Sequence, residues 1–380
     1  MAIYLDHAAT TPIRPEVKKA MLPFLDEAFG NPSSIHQYGR TVRTAIDQAR
    51  QEIAHALHTE PGQITFTSGG TEADNLAIMG VATACLEEGK NHIITSEIEH
   101  HAVLDTCKYM ERVGFEVTYL PVDHTGMISI DELKKATRPN TCLISIMTGN
   151  NEVGTLQPIE EMGQWAQEQQ IYFHTDAVQA FGVEELDLRT LPVDLLSLSS
   201  HKINGPKGVG ALYQSKRVRI IPRNFGGAQE RRRRPGTENV IGIVGFGKAT
   251  ELAMEEREEH KRFLLHLRHT LLAELKREKV NFVINGHPER FLPHILNLSF
   301  PGTDSETLLM NYDIADIACA SGSACTSGTL EVSHVLKAMQ LSEEITRSAI
   351  RFSFGRGNTV EQMRGVAKKT AEIVRRLTTV

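Results

Sequence analysis

The chain has 380 residues, 41% of them apolar and 23% charged, and carries a formal net charge of −6. These are ordinary values for a water-soluble globular protein, with room for one large domain and a smaller one. The charge argues against nucleic acid as the main partner, because phosphate binding needs a basic face. No stretch approaches the roughly 18 apolar residues that span a bilayer, and the opening "MAIYLDHAATTPIRPE" lacks the basic and apolar regions of a signal peptide. The cytosol is the expected compartment, with no direct nucleic acid or membrane partner.

Short apolar runs follow one another along the chain as strands: "QITFTS", "HIITSE", "FEVTYLPV", "CLISIMT", "IYFHTDAV" and "DLLSLSS". They recur at intervals of roughly 20 to 30 residues. Between them lie helical stretches such as "TEADNLAIMGVATACLEEG" and "IEEMGQWAQEQQ". This alternation predicts an α/β fold with a mainly parallel sheet between helices. Near residue 246 the pattern changes to one long charged helix, followed by short strands and helices. The expected organisation is an N-terminal arm over 1–15, a large domain over 16–257 and a smaller α+β domain over 258–380.

The five cysteines, Cys85, Cys107, Cys142, Cys319 and Cys325, form no C-x-x-C pair. They read as reduced thiols, four of them small core residues, and no metal site is expected. Cys325 differs, because "ASGSACTSGTLEVSH" has no apolar pattern to bury it and leaves an exposed candidate nucleophile.

In such a fold, ligands collect at the carboxyl ends of the strands. After the first main strand, Gly69, Gly70 and Thr71 open a helix, as in a phosphate seat or simply a helix cap. His100 and His101 follow the second; a histidine pair is often structural, and no third ligand supports zinc. Asn150, Asn151 and Glu152 follow "CLISIMT", where an Asn-rich turn is the plainer reading. Asp176 follows "IYFHT", with Gln179 three residues on as the chain turns helical; alone, Asp176 reads as an N-cap. Lys202 follows "DLLSLSS", boxed in by Ser199, Ser200, His201 and "NGPKG", an odd place for a solubility device. Together these residues suit an aromatic aldehyde phosphate: a seat for its phosphate, an acid for its ring nitrogen, donors for its phenolic oxygen, and a lysine for a Schiff base.

The chain resembles the class V aminotransferase family, and within it the cysteine desulfurases with a long catalytic loop. The resemblance rests on "YLDHAATTP", "GNPSSIHQYGR", "FTSGGTEADN", "EHHAV", "NNEVG", "HTDAVQA", "SSHKINGPKGVG", "RRRRPGTEN", "SGSACTSG" and "IRFSFGR". It implies the type I fold of pyridoxal phosphate enzymes, with that cofactor linked to Lys202. It implies that His100 stacks on the ring and acts as acid or base, and that Asp176 pairs with the pyridine nitrogen. Gln179 and Asn151 would hold the phenolic oxygen, and Gly70, Thr71, Ser199 and His201 the phosphate. Thr237 would reach the phosphate from the partner subunit of a homodimer.

Arg351 would grip the substrate carboxylate, for which a planar fork is the natural partner, together with Asn151. Cys325 would attack the sulfur of substrate L-cysteine, form a persulfide and release alanine. It is also the one candidate for a transient iron–sulfur ligand. The sulfur would pass to an acceptor protein, an iron–sulfur scaffold or a tRNA thiouridylase. Arg234 supplies the basic residue before "GT", while Arg231 to Arg233 read as a solvated face. Asn31, His36 and Arg40 match a motif bordering the site, and Cys319 reads as structural. A selenocysteine lyase or an aminotransferase on the same scaffold is the alternative, though a transaminase needs no loop thiol. A catalytically silent interaction protein would normally have lost Lys202, Asp176, His100 or Cys325.

Overall fold

The computed structural model describes residues 2–322 and 332–378, so Cys325 lies outside the described residues. A short strand, β1 (Ile3–Tyr4), precedes helices α1 (Pro15–Met21) and α2 (Gln37–Ala56). Strand and helix then alternate through β2 (Ile64–Thr67), α3 (Gly70–Cys85), β3 (His92–Ser96), α4 (His101–Arg112), β4 (Glu116–Leu120), α5 (Ile130–Ala136), β5 (Thr141–Ser145) and α6 (Ile159–Glu168). Next come β6 (Tyr172–Asp176), β7 (Leu195–Ser199) and β8 (Gly210–Gln214), with no α-helix between them. The 38-residue helix α7 (Val240–Arg277) leads into β9 (Val283–Asn285), β10 (Ile295–Ser299), α8 (Ser305–Ile314) and β11 (Ile317–Ala318). The chain closes with α9 (His334–Ala338), α10 (Glu343–Arg347), β12 (Ala349–Ser353) and α11 (Val360–Thr378).

The large sheet has the order β2–β8–β7–β6–β5–β3–β4. Strands β4, β3, β5, β6 and β7 run parallel, and only β8 opposes its neighbours, β7 and β2. The near-continuous apolar runs follow from burial on both faces. Successive residues of one strand enter different cores: Ile94, Ile144 and Leu196 pack with α2, α6 and the first half of α7. Ile93, Leu143 and Leu195 pack with α3 and α4 on the other face. The six expected strands are present. Strand β8 is an addition to them, because the breakers of "NGPKG" separate it from β7 and its pairing is antiparallel.

Helix α7 joins two cores. Ile243, Phe246, Ala249 and Leu252 belong to the large-sheet core. Leu264, Leu267, Leu271 and Leu275 belong to a second core with the antiparallel sheet β12–β10–β9 and helices α8 and α11. The N-terminal segment also joins that second core: Leu5 is fully buried there, and β1 pairs with β11.

Candidate active site

Because five parallel strands point the same way, their carboxyl ends deliver polar residues to one edge of the sheet. There a cleft of about 560 Å³ opens, lined among others by Gly70, Thr71, His100, Asn151, Asp176, Gln179, Ser199, His201, Lys202 and Arg351. Most of the polar residues read from the strand ends therefore converge, as does Arg351 from β12, whereas Gly69, His101, Asn150, Glu152 and Ser200 do not line the cleft. Burial separates the two asparagines. Asn150 spends its side chain internally, accepting from Glu152 N and Val153 N and donating to Ile98 O, so Asn151 is the one left to face the cleft.

Lys202 follows β7 in a tight turn, and its Nζ donates to the carbonyls of Ala8 at 2.5 Å and Ala9 at 2.9 Å. Burial pushes the amine down to about 8, aided by the Arg351 guanidinium and opposed by Asp176 and Asp6. A sizeable neutral fraction near neutral pH makes this amine a competent partner for a carbonyl carbon.

Asp176 ends β6 with its carboxyl buried, Oδ1 accepting from Val178 N at 2.9 Å. Burial pushes its pKa upward, against the opposing fields of His100 and Lys202. The expected helical turn after Asp176 is not formed: residues 178–180 make a plain turn, so Asp176 caps no helix. Gln179 lies in that turn, its Nε2 donating to Ala8 O at 3.0 Å. His100 caps α4, its Nδ1 accepting from Ala102 N at 3.1 Å, which puts the neutral ring's proton on Nε2. Burial lowers its pKa. His101, the other member of the pair, is exposed beside Asp105.

The anion seat lies at the start of α3. A Cβ built on Gly70 would come within 2.7 Å of Val178 Cγ2, so only glycine lets the two loops close over the helix terminus. Thr71, Ser199 and His201 line the same end. His201 Nδ1 lies 3.1 Å from Thr10 Oγ1. Burial, with Lys202 and Lys207, holds this imidazole down at about 4.

Arg351 is 7% exposed, and its Nη1 donates to Asn151 O and Nη2 to Asp6 Oδ1, each at 2.9 Å. Its Nε is buried without a partner. This is no surface salt bridge; it is a held fork with two of its five N–H donors spent on Asn151 and Asp6, suited to a carboxylate.

Several expected residues are not brought together. Thr237 is exposed and does not line the cleft of its own chain. Asn31 and His36 make local turn and cap bonds, and neither they nor Arg40 line the cleft. Arg234 pairs with Glu72 at 2.8 Å, next to Thr71. Arg231 and Arg232 are exposed as expected, whereas Arg233 donates to Gly62 O. Cys85, Cys107 and Cys142 are core residues, but Cys319 lines the cleft, its thiol pushed up by burial and so a weak nucleophile. Asp6, Asp74 and Leu309 also line the cleft, and strand-end reasoning does not find them. Only the quoted "YLDHAATTP" motif could have signalled Asp6. Among the described residues no cluster could hold a metal ion.

Pyridoxal phosphate fits this donor set. The cradle at Gly70, the Lys202 amine with its lowered pKa, the buried Asp176 carboxyl and the cleft-lining Arg351 guanidinium each match one part of the cofactor or an amino-acid substrate. The chain matches the aminotransferase class-V family over residues 3–366. The cysteine desulfurase IscS of Methanosarcina thermophila is 55% identical over 377 residues, covering 99% of this chain and 93% of that protein. The cysteine desulfurase IscS of Dictyoglomus turgidum is 49% identical over 378 residues, covering 100% and 96%. A solved structure of a NifS-like protein superimposes with a TM-score of 0.93 at 39% identity, covering 99% of this chain and 100% of that one. Identity of this extent along the whole of both chains fixes the family: the protein belongs to the class-V aminotransferases, in their cysteine desulfurase branch.

Proposed function

We propose that the protein converts L-cysteine to L-alanine and carries the released sulfur as a persulfide on Cys325. The observation that supports this best is the convergence of Lys202, Asp176 and Arg351 on one cleft whose wall also includes Ser321 and Gly322. Cys325 lies three residues beyond Gly322.

Bound pyridoxal phosphate supplies an electron sink for the substrate's α-carbon. Arg351 holds the substrate carboxylate, with Asn151 beside it. Asp176 would keep a proton on the ring nitrogen, Gln179 would donate to the phenolic oxygen, and Gly70, Thr71, Ser199 and His201 would seat the phosphate. Lys202 Nζ, with its lowered pKa, takes and returns protons at the substrate carbons, and His100 serves as second acid or base. The Cys325 thiolate forms a bond to the substrate sulfur while the Cβ–S bond breaks; the carbon fragment gains a proton and leaves as alanine.

The active species is a homodimer in which Thr237 of the partner subunit completes the phosphate seat. Exposed Leu25, Phe29, Ile35 and Tyr38 support a second copy covering that segment. A division into an arm to residue 15, a large domain to residue 257 and a small domain after it is supported at its second boundary by the change of core along α7, while Leu5 of the arm packs in the small domain's core. The sulfur acceptor is an iron–sulfur scaffold or a tRNA thiouridylase in the cytosol.

Cys325→Ser tests the assignment. The variant should stay yellow and still shift its spectrum on adding L-cysteine, while alanine release falls by roughly a hundredfold or more. Undiminished alanine release, or trapped sulfur on Cys319, would overturn it.

A further inference from the structure

The cleft wall at Gln179 is set from behind by a residue that does not reach the cleft. A side-chain amide has a donor edge and an acceptor edge, and only its neighbours decide which way it faces. At Gln179 two neighbours decide. One is the carbonyl of Ala8, 3.0 Å from Nε2; a carbonyl oxygen only accepts, so the amide must present nitrogen to it. The other is His294, whose Nε2 lies 3.2 Å from Gln179 Oε1. An amide oxygen only accepts as well, so His294 Nε2 must carry the ring proton.

The surroundings of His294 agree. It stands just before β10, is 9% exposed, and its Nδ1 is buried without a partner. A second proton on that nitrogen would have no acceptor. Burial, together with His260, His7, Lys202 and Arg351, holds the ring neutral, its pKa pushed down to about 3. His294 does not line the cleft but a smaller adjoining chamber of about 50 Å³, which Gln179 and Lys202 line together with His7 and His260. Anything it does for a ligand in the cleft passes through Gln179.

We propose that His294, as its Nε2–H tautomer, is a positioning residue that locks the Gln179 amide with its nitrogen edge toward the cleft, making Gln179 a fixed donor to an anionic oxygen there. One Nε2 hydrogen goes to Ala8 O, and the other is left for the cleft. A flipped amide would set Oε1 against both Ala8 O and that anion. This rests on the cofactor reading above, in which the anion is the phenolic oxygen of pyridoxal phosphate.

The test uses the holoenzyme and follows the pH at which the cofactor's visible absorbance titrates. A donor to the phenolic oxygen stabilises its charge, so the neighbouring linkage nitrogen gives up its proton at lower pH. His294→Phe should therefore raise the midpoint, roughly threefold or more in proton affinity. Gln179→Leu should raise it at least as far, and the double variant no further than Gln179→Leu alone. His294→Gln, whose amide nitrogen can stand where Nε2 stood, should return the midpoint toward wild type. An unshifted midpoint in His294→Phe overturns the proposal, whether or not Gln179→Leu shifts. Absence of a visible band in the wild-type protein would instead sink the cofactor reading. Should His294→Phe not fold, nitrogen-15 NMR of histidine-labelled wild-type protein reads the tautomer directly: a protonated Nε2 supports the proposal and a protonated Nδ1 overturns it.

Discussion

Glu99, the residue before His100, is fully buried, with Oε1 accepting from Ser96 Oγ at 2.7 Å and from Met147 N at 3.0 Å. Its Oε2 is buried without a partner. Burial pushes its pKa from 4.5 up to about 8. Between those two values the unfolded chain has lost the proton and the folded chain keeps it, so folding stability falls as pH rises through that window. Glu99→Gln preserves both accepted bonds and removes the titration. Between pH 5.5 and 8 the variant should lose less stability than wild type, by on the order of 2 kcal/mol in denaturant unfolding. Parallel pH profiles would show that Glu99 is ionised in the native state.

At this scale the sequence is informative where one rule applies, that parallel strands present their ends to a ligand. Lys202, Asp176, Asn151 and His100 are legible for that reason. Asp6 is not, because its partner Arg351 is 345 residues away and nothing local marks the pairing. His294 is not, since its part is defined by one contact to Gln179 across 115 residues.

The "RRRR" run, legible in the sequence only as charge, forms an unusual turn. Glu230, Arg231 and Arg232 have φ of 46°, 56° and 66°, three successive left-handed residues without a glycine. Each such residue costs about 1 kcal/mol or more. The turn is held by Glu230, which accepts from Arg50 Nη1 at 2.7 Å, Arg50 Nη2 at 2.5 Å and Phe66 N at 2.8 Å, tying it to α2 and β2. Arg232 is exposed, so its side chain contributes little to offset its backbone. Arg232→Gly should raise stability by about 0.5–1 kcal/mol in denaturant unfolding. Glu230→Ala leaves the buried Arg50 guanidinium unpaired and should cost about 3–5 kcal/mol. A loss of stability in Arg232→Gly would mean that its side chain, not Glu230, holds the turn. Strand β8 and the β1–β11 pair are hard to see in the sequence for a related reason. Local periodicity reports which face of a strand is apolar but not which distant strand it joins, and β1 spans only two residues.

Across the whole molecule, among the described residues, exposed large apolar side chains gather in the segment from Leu22 to Tyr38. Phe29 is 74% exposed and Ile35 is 91% exposed, with the Phe29 ring only 5.6 Å from that of Tyr38. Such side chains gathered in one stretch are usually covered by another surface. In the same chain, Thr237 is exposed and stands outside its own cleft. The proposed homodimer would account for both observations and would link assembly to cofactor affinity. Replacing Phe29 and Ile35 together by aspartate places two charges where the partner would sit, and the cost of desolvating them would keep the two surfaces apart. The wild-type holoenzyme should sediment as a dimer and the double variant as a folded monomer. The monomer should release pyridoxal phosphate more readily, by about tenfold or more, because a hydroxyl bond to a charged phosphate is worth roughly 1.5–3 kcal/mol. Thr237→Val in the intact dimer should weaken cofactor binding by a similar factor without changing the sedimentation coefficient. A monomeric wild type, or a monomeric variant holding its cofactor as tightly as the dimer, would show that each chain builds its phosphate seat alone.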